Sequence, residues 1–120
     1  MTKRILVVED HEINRCLISA ILSKLNIPHD LAENGEEAIE MVEYVQYNLV
    51  LMDIFMPKMN GFESLDIIKS HQNSMISAIP VIAVTAQPEL KGLDKFDGLI
   101  PKPINLANFH NTLAKFMKIT

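Results

Sequence analysis

Three short runs of apolar residues, each followed at once by a polar residue, constrain the fold of this chain most strongly. They occupy residues 5–8, 49–52 and 81–84. An uninterrupted apolar run of this length is typical of a β-strand that is covered on both faces. The segments between the runs carry apolar residues at the three- and four-residue spacing of a helix. Alternating strands and helices predict parallel βαβ units, whose right-handed crossovers place helices on both faces of one sheet.

The whole sequence divides into five such strand–helix units. Two weaker strands, at residues 29–32 and 98–100, complete the set, and residues 1–120 have the size of one domain. We therefore expect a single α/β domain around a central parallel sheet of five strands. The expected helices lie near residues 13–25, 36–45, 62–68, 88–96 and 106–117. The fourth of them is weak, because Gly92 interrupts it.

The first helix is predicted to bury one apolar face. The residues at helical spacing on that face are Ile13, Cys16, Leu17, Ala20, Ile21 and Leu25. We interpret Cys16 as a small buried hydrophobe rather than as a reactive thiol. It is the only cysteine, so no internal disulfide can form. A single thiol and the absence of a secretory signal pattern indicate a cytoplasmic location.

The balance of charge disfavours two classes of function. Eleven Lys and Arg residues stand against fifteen Asp and Glu residues, which leaves a net charge of −4. Direct binding to nucleic acid requires a clustered positive face, so we expect none here. We also expect no membrane-spanning segment, because no apolar run approaches the roughly 20 residues that a spanning helix needs.

The polar residues that follow the strands form the candidate site. Glu9, Asp10, Asp53, Thr85 and Lys102 each lie where a predicted strand ends, and the ligand crevice of an open α/β sheet is found at those ends. Two carboxylates roughly 4 Å apart repel each other by about 4 kcal/mol at an effective dielectric near 20. A cation would relieve that repulsion, and an oxygen-only ligand set without paired His or Cys favours Mg²⁺.

This combination of residues suits phosphoryl transfer to a carboxylate. Asp53 is a competent nucleophile toward phosphorus and would form an acyl phosphate without a general base. The transition state spreads negative charge over three oxygens, so catalysis depends on positioning and on cationic neutralisation. We expect Mg²⁺, the ammonium of Lys102 and the hydroxyl of Thr85 to contact one of these oxygens each.

The motifs that carry these residues resemble the receiver domain of two-component response regulators, along essentially the whole chain. They occupy residues 5–10, 53–61, 84–86 and 102–103. The segment after the third strand, with sequence DIFMPKMNG, is the most specific of them. The acidic pair together with Asn14 and Arg15 is most similar to the receivers of hybrid sensor kinases. The resemblance implies a flavodoxin-like (βα)5 fold with the strand order 2-1-3-4-5.

The resemblance also implies how the acidic residues act. Asp53 is the phosphoacceptor and becomes an aspartyl phosphate. Asp10, Asp53 and the backbone carbonyl of Phe55 bind Mg²⁺ directly, and Glu9 acts mainly through water on the metal.

The remaining candidate residues are expected to contact the phosphoryl group. Thr85 hydrogen-bonds it, Lys102 pairs with it and the small Ala86 leaves room for it, while the Lys102–Pro103 peptide bond is cis in the family. The donor would be a phosphohistidine on a histidine kinase or a histidine phosphotransfer protein, and a downstream effector would bind the switched surface. Such a domain is not an enzyme with a separate substrate, because it only accepts and releases its own phosphoryl group.

Two features depart from the family's pattern. The aromatic switch residue of the family lies three positions before the lysine, and here that position is Leu99. Thr85 and Lys102 lie 17 positions apart, which is short for the family, so the fourth helix is expected to be short or irregular. Both features motivate an alternative function, a docking module that binds its partner equally well with and without phosphate.

A further alternative is an enzyme or a cofactor protein on the same architecture. A flavin binder needs a loop rich in Gly, Ser or Thr after the first strand, whereas residues 9–12 read EDHE. An aspartate-based phosphatase needs a second acid two residues after its nucleophile, and this chain has Phe55 there. Both of these classes are therefore disfavoured.

Overall fold

Five short strands form one parallel sheet in the computed structural model, which describes residues 3–117. The strands are β1 (Ile5–Val8), β2 (His29–Ala32), β3 (Leu49–Asp53), β4 (Val81–Thr85) and β5 (Gly98–Pro101). Their order across the sheet is β2-β1-β3-β4-β5. The predicted α/β fold and the strand order implied by the resemblance are both confirmed.

Five α-helices and one 3-10 turn connect the strands in the described part of the chain. They are α1 (Glu12–Lys24), α2 (Gly35–Tyr44), α3 (Gly61–Lys69), α4 (Ser74–Ser77), the 3-10 turn Leu93–Lys95 and α5 (Leu106–Met117). The single-turn helix α4, between α3 and β4, was not predicted. None of the helices in residues 3–117 has the length and apolar character needed to cross a bilayer.

Asparagine side chains cap the starts of four helices, α2, α3, α4 and α5, through Asn34, Asn60, Asn73 and Asn105. Asn60 accepts a hydrogen bond from the Glu63 amide at 2.9 Å, and Glu63 accepts one from the Asn60 amide at 3.0 Å. This reciprocal pair satisfies two amides that a helix start would otherwise leave unpaired. Asn34 accepts from the Glu37 amide at 2.8 Å, and Asn105 accepts from the Asn108 amide at 3.0 Å.

Helices cover both faces of the sheet. One face is covered by α1 and α5, through Ile18, Leu22, Phe109, Leu113 and Met117. The opposite face is covered by α2 and α3, through Ala38, Val42, Leu65 and Ile68. Every residue of β1, β3 and β4 is buried, which explains why these strands are uninterrupted apolar runs rather than alternating ones.

The predicted buried face of α1 was partly wrong. Ile18 and Leu22 face the sheet, whereas Ile13 is 72% exposed and Leu17 is 50% exposed. Cys16 is also exposed, so its interpretation as a buried hydrophobe is wrong as well. Apolar residues extend around much of this helix, and their spacing alone is compatible with more than one buried face.

The connection between β4 and β5 contains only a 3-10 turn, in agreement with the expectation of a short or irregular fourth helix. The turn begins after Gly92, whose φ of +93° is readily adopted only by glycine. Leu90, Leu93 and Phe96 from this connection pack on the sheet. The ring of Phe96 meets that of Phe62 edge-on, with 5.7 Å between the centroids. Side chains therefore cover a part of the sheet where no helix lies.

Candidate functional site

The polar residues at the strand ends converge at one edge of the sheet. The register aligns Asp53 with Val84 and Thr85 with Pro101, so the ends of three neighbouring strands lie side by side. Glu9, Asp53 and Thr85 are buried, with 2%, 7% and 2% of their surface exposed. Buried polar residues of this kind need close partners, because burial without hydrogen bonds is costly.

Lys102 joins residues that are far apart in the sequence. Its ammonium lies 2.9 Å from Glu9 Oε1 and 3.3 Å from Asp53 Oδ1. Its backbone amide donates to the carbonyl of Thr85 at 2.8 Å, which continues the pairing of β4 with β5 beyond the strand ends. The Lys102–Pro103 peptide bond is cis, as the resemblance implies. The predicted meeting of the lysine with the acidic residues is therefore present in the structure.

Three carboxylates form a cluster that could hold a metal ion. Glu9, Asp10 and Asp53 each offer one oxygen, and these oxygens lie within 4.8 Å of one another. Glu9 and Asp53 are buried, whereas Asp10 is exposed and open to solvent. Hard oxygen donors beside an open side suit Mg²⁺, which keeps several waters when bound. The residues present therefore fit the cation that the sequence predicts.

The close contact between two acids and one lysine shifts the pKa of each group. Burial raises the pKa of Asp53 to about 7, and the neighbouring Glu9 carboxylate adds to the increase. Burial also acts to raise the pKa of Glu9, but hydrogen bonds from Lys102 and from the His11 amide outweigh it and lower the pKa. Burial acts to lower the pKa of Lys102, and the two carboxylates more than compensate. The lysine lies closer to Glu9, so Asp53 is the acid that holds a proton more readily.

Replacement of Asp53 by asparagine is expected to stabilise the metal-free protein. Because the folded state binds more protons than the unfolded one between about pH 4 and pH 7, the contribution of Asp53 to stability falls as the pH rises through this window. We expect Asp53→Asn to raise the free energy of unfolding by about 2 kcal/mol near pH 8, with no gain near pH 4. Urea unfolding at both pH values measures this difference.

The exposed Asp66 provides a matched control. Asp66→Asn makes the same chemical change on the surface of α3, and its stability is expected to stay within about 0.5 kcal/mol of wild type. A loss of stability in Asp53→Asn near pH 8 would contradict the cost of holding the buried Asp53 carboxylate in its ionised form beside Glu9.

The remaining predicted site residues lie around this cluster. The hydroxyl of Thr85 accepts a hydrogen bond from the Gln87 amide at 3.1 Å. Phe55 follows Asp53 by two residues and is 57% exposed, and Ala86 is also exposed. Leu99, the predicted switch position, lies on β5 and is 37% exposed.

The loop after Asp53 folds back tightly against the strand that precedes it. Asp53 Oδ1 accepts a hydrogen bond from the Ile54 amide at 2.9 Å, and the Gly61 amide donates to the Ile54 carbonyl at 2.8 Å. A β-carbon at Gly61 would lie 2.6 Å from the carbonyl oxygen of Asp53 and 2.9 Å from the α-carbon of Ile54. Only glycine therefore lets α3 begin so close to the backbone of Asp53 and Ile54, which explains this residue in the motif.

One residue of the site was missed by the sequence-based predictions. Arg15 was noted as part of a motif, but no role was assigned to it. Its guanidinium donates to the backbone carbonyls of Glu9 at 2.9 Å and Asp10 at 2.8 Å. The signal was available in the sequence, since an arginine five or six residues after an acidic pair can reach back from the first turn of a helix.

Comparison with known proteins identifies the family. Residues 5–114 match the response regulator receiver domain. The chain belongs to this family. The match covers all five strands and most of α5, and it includes Glu9, Asp10, Asp53, Thr85 and Lys102. The receiver domain is the receiving module of two-component signal transduction, as the resemblance implied.

Two sensor kinases contain regions similar to this receiver domain. The autoinducer 1 sensor kinase/phosphatase LuxN of Vibrio campbellii is 31% identical over 117 residues, which cover 94% of this chain and 13% of LuxN. The signal transduction histidine-protein kinase BarA of Escherichia coli is 32% identical over 117 residues, which cover 93% of this chain and 12% of BarA. The chain thus spans a small part of the length of these curated relatives.

Solved structures share the fold. The receiver domain of sensor histidine kinase PA1611 from Pseudomonas aeruginosa has a TM-score of 0.87 at 26% identity, covers 99% of this chain and is matched over 100% of its own length. Its structure has a magnesium ion coordinated in the active site cleft. The receiver domain of Ssk1 from Saccharomyces cerevisiae, crystallised with the histidine phosphotransfer protein Ypd1, has a TM-score of 0.86 at 23% identity; the match covers 96% of this chain and 88% of that chain. At 23% identity, the similarity to the Ssk1 receiver domain shows the fold alone.

Proposed function

We propose that Asp53 accepts a phosphoryl group from a phosphohistidine and that Mg²⁺ is required for the reaction. The contact of the Lys102 ammonium with both Glu9 and Asp53 carries this proposal, because it places one cation beside a buried carboxylate at the open edge of the sheet. A carboxylate there can act as nucleophile, and the cation neutralises charge that the reaction brings in. Membership of the receiver family supports the same role.

The proposed metal ligands are the residues that the sequence indicates. Glu9, Asp10, Asp53 and the backbone carbonyl of Phe55 would hold Mg²⁺, and the carboxylate cluster and the magnesium in the PA1611 receiver support this assignment. When bound, the ion supplies charge neutralisation for the carboxylates and for the phosphoryl oxygens. Positive charge beside Asp53 also favours its ionised form, which is the nucleophilic form.

The transfer itself exchanges one bond to phosphorus for another. A carboxylate oxygen of Asp53 attacks phosphorus, the phosphorus–nitrogen bond of the phosphohistidine breaks, and the imidazole leaves with the electron pair. Lys102 is placed to pair with a phosphoryl oxygen, and the hydroxyl of Thr85 can turn from the Gln87 amide to bind another. No general base is needed, since the attacking group is already ionised.

The proposed partners follow from this chemistry. The donor is a histidine kinase or a histidine phosphotransfer protein. The complex of the Ssk1 receiver with Ypd1 supports that choice, as do the similar regions within the kinases LuxN and BarA. A downstream effector would bind the surface that changes with phosphorylation. We also propose that the domain has no separate substrate, makes no direct contact with nucleic acid, and acts in the cytoplasm.

Incubation with acetyl phosphate and Mg²⁺ tests the proposed acceptor. We expect the intact mass to rise by one phosphoryl group and the increase to be lost in Asp53→Asn, while Asp66→Asn keeps it. Removal of Mg²⁺ with a chelator should also prevent the increase. An unmodified wild-type protein, or a phosphorylated Asp53→Asn variant, would refute the assignment.

A docking module that works without phosphate is the second candidate function. Leu99 in place of an aromatic and a 3-10 turn in place of an α-helix between β4 and β5 favour it, because both change the side of the domain that would transmit a switch. The two candidates differ in one measurable quantity, the affinity for a partner with and without the phosphate mimic beryllium fluoride. Equal affinities in both states would support the docking module, and a difference would exclude it.

A further inference from the structure

We propose that Arg15 is a positioning residue for the divalent-cation site, an inference that rests on the proposed function. One nitrogen, Nη1, donates to two consecutive backbone carbonyls, those of Glu9 at 2.9 Å and Asp10 at 2.8 Å. These two residues carry two of the three carboxylates in the cluster. Arg15 therefore fixes the peptide groups from which both side chains extend.

The loop that Arg15 holds is short, and within residues 3–117 its other hydrogen bonds do not involve the Glu9 and Asp10 carbonyls. It comprises the three residues between β1 and α1. The Glu9 amide continues the sheet pairing by donating to Ala32 at 3.0 Å, and the His11 amide donates to the Glu9 side chain at 3.1 Å. The contacts from Arg15 are the ones that bind the Glu9 and Asp10 carbonyls to the first turn of α1.

Arg15 is itself held in place from a second direction. Its Nη2 lies 3.5 Å from a carboxylate oxygen of Glu33, in the loop between β2 and α2. The Arg15 side chain is 14% exposed, whereas that of Glu33 is 65% exposed. The guanidinium is thus largely enclosed, and the partly solvated carboxylate orients it without contributing much energy of its own.

The two cations beside the acidic cluster have different tasks. Lys102 contacts carboxylate oxygens, which are the atoms that a metal ion would bind. On Glu9 and Asp10, Arg15 contacts the backbone carbonyl oxygens and not the carboxylates, so it orders the loop without competing with an ion for the carboxylate oxygens. The branched guanidinium can bind both carbonyls and Glu33 at once, whereas a lysine ammonium at the end of a flexible stem has no such fixed arrangement of donors.

Measurement of Mg²⁺ affinity in variants of the intact chain tests this role. Residues that orient metal ligands typically change metal affinity by about 10- to 100-fold when they are replaced. We expect Arg15→Met to raise the Mg²⁺ dissociation constant about tenfold, and Arg15→Lys to restore part of that loss. Calorimetric titration gives the constants, and amide shifts of Asp10 and His11 in NMR spectra report the loop directly.

Arg4 provides a matched control at the opposite end of β1. It also combines a carboxylate contact, 2.9 Å to Asp30, with a backbone carbonyl contact, 3.5 Å to His29. Arg4→Met is expected to leave the Mg²⁺ dissociation constant within about twofold of wild type, even where it lowers thermal stability. A general effect of losing an arginine is thereby separated from a specific effect on the site.

The outcomes separate this inference from the proposed function. A wild-type protein that binds Mg²⁺, together with an Arg15→Met variant that binds it within twofold as tightly, overturns the role of Arg15 alone. A wild-type protein that binds no Mg²⁺ overturns the proposed metal site and the role of Arg15 with it. If methionine at this position unfolds the domain, Arg15→Lys decides the question, and unchanged affinity in that variant refutes the inference.

Discussion

Lys102→Met is expected to lower the free energy of unfolding of the metal-free protein by about 3 kcal/mol near pH 8, because it leaves two buried carboxylates without their cation. Glu9 and Asp53 are only 2% and 7% exposed, so water would replace the ammonium only in part. The loss should shrink as the pH falls, because Asp53 has a pKa of about 7 with Lys102 present and a higher pKa without it, and once protonated it can donate to Glu9. Urea unfolding followed by circular dichroism measures both values.

A second lysine separates the effect of burial from the effect of losing any ion pair. The Lys69 ammonium lies 2.8 Å from a carboxylate oxygen of Asp97, a distance close to that between Lys102 and Glu9. The side chains of Lys69 and Asp97 are each about one-third exposed, so this ion pair is weakened by solvent. Lys69→Met is expected to cost about 1 kcal/mol or less. Mg²⁺ should recover much of the stability of Lys102→Met and none of that of Lys69→Met. Equal losses in the two variants would show that the acidic cluster is not strained.

Gly61→Ala is expected to have the second large effect, on stability and on the acceptor together. The new methyl group would lie 2.6 Å from the Asp53 carbonyl oxygen and 2.9 Å from the Ile54 α-carbon, and both are backbone atoms that cannot rotate away. We expect a loss of about 2 to 3 kcal/mol, at the upper end for overpacking. The displaced loop should also slow phosphorylation of Asp53 by acetyl phosphate, measured as the rate of mass increase.

Gly98→Ala is the matched control for this substitution. Its β-carbon would meet Ile82 Cδ1 at 2.8 Å and Phe116 Cε2 at 3.0 Å, which are the far ends of side chains. Those atoms can move, so we expect a loss of about 1 kcal/mol and an unchanged rate of phosphorylation. A Gly61→Ala variant as stable and as readily phosphorylated as Gly98→Ala would show that the approach of α3 to the acceptor strand is not restrictive.

The sheet and its site were predictable because their signals are strong and local. Fully buried strands require unbroken apolar runs, and the residue after each run necessarily lies at the same edge of a parallel sheet. The position of each residue after a strand therefore predicted that Glu9, Asp53 and Lys102 would meet, although Glu9 and Lys102 are 93 positions apart in the sequence. The capping box at Asn60 was predictable for the same reason, since it depends on only four consecutive residues.

The rotation of α1 was not predictable from periodicity, because it depends on contacts outside the helix. Arg15, Ile18 and Leu22 follow one another at helical spacing and turn inward together, and the hydrogen bonds from Arg15 to the β1–α1 loop favour that orientation. Ile13 and Leu17 are left exposed as a result. The single turn of α4 was missed because four residues are too few to show a helical pattern.

The hydrogen bond between Thr85 and Gln87 has a consequence for how a signal could leave the site. The Thr85 carbonyl is held by the Lys102 amide, so the strand end itself stays in register while the hydroxyl remains able to change partner. A phosphoryl group that draws the hydroxyl inward would release the Gln87 amide at the very start of the β4–β5 connection. That connection has only a 3-10 turn to resist rearrangement. The conformational change would therefore be a local increase in backbone mobility rather than the displacement of an intact helix.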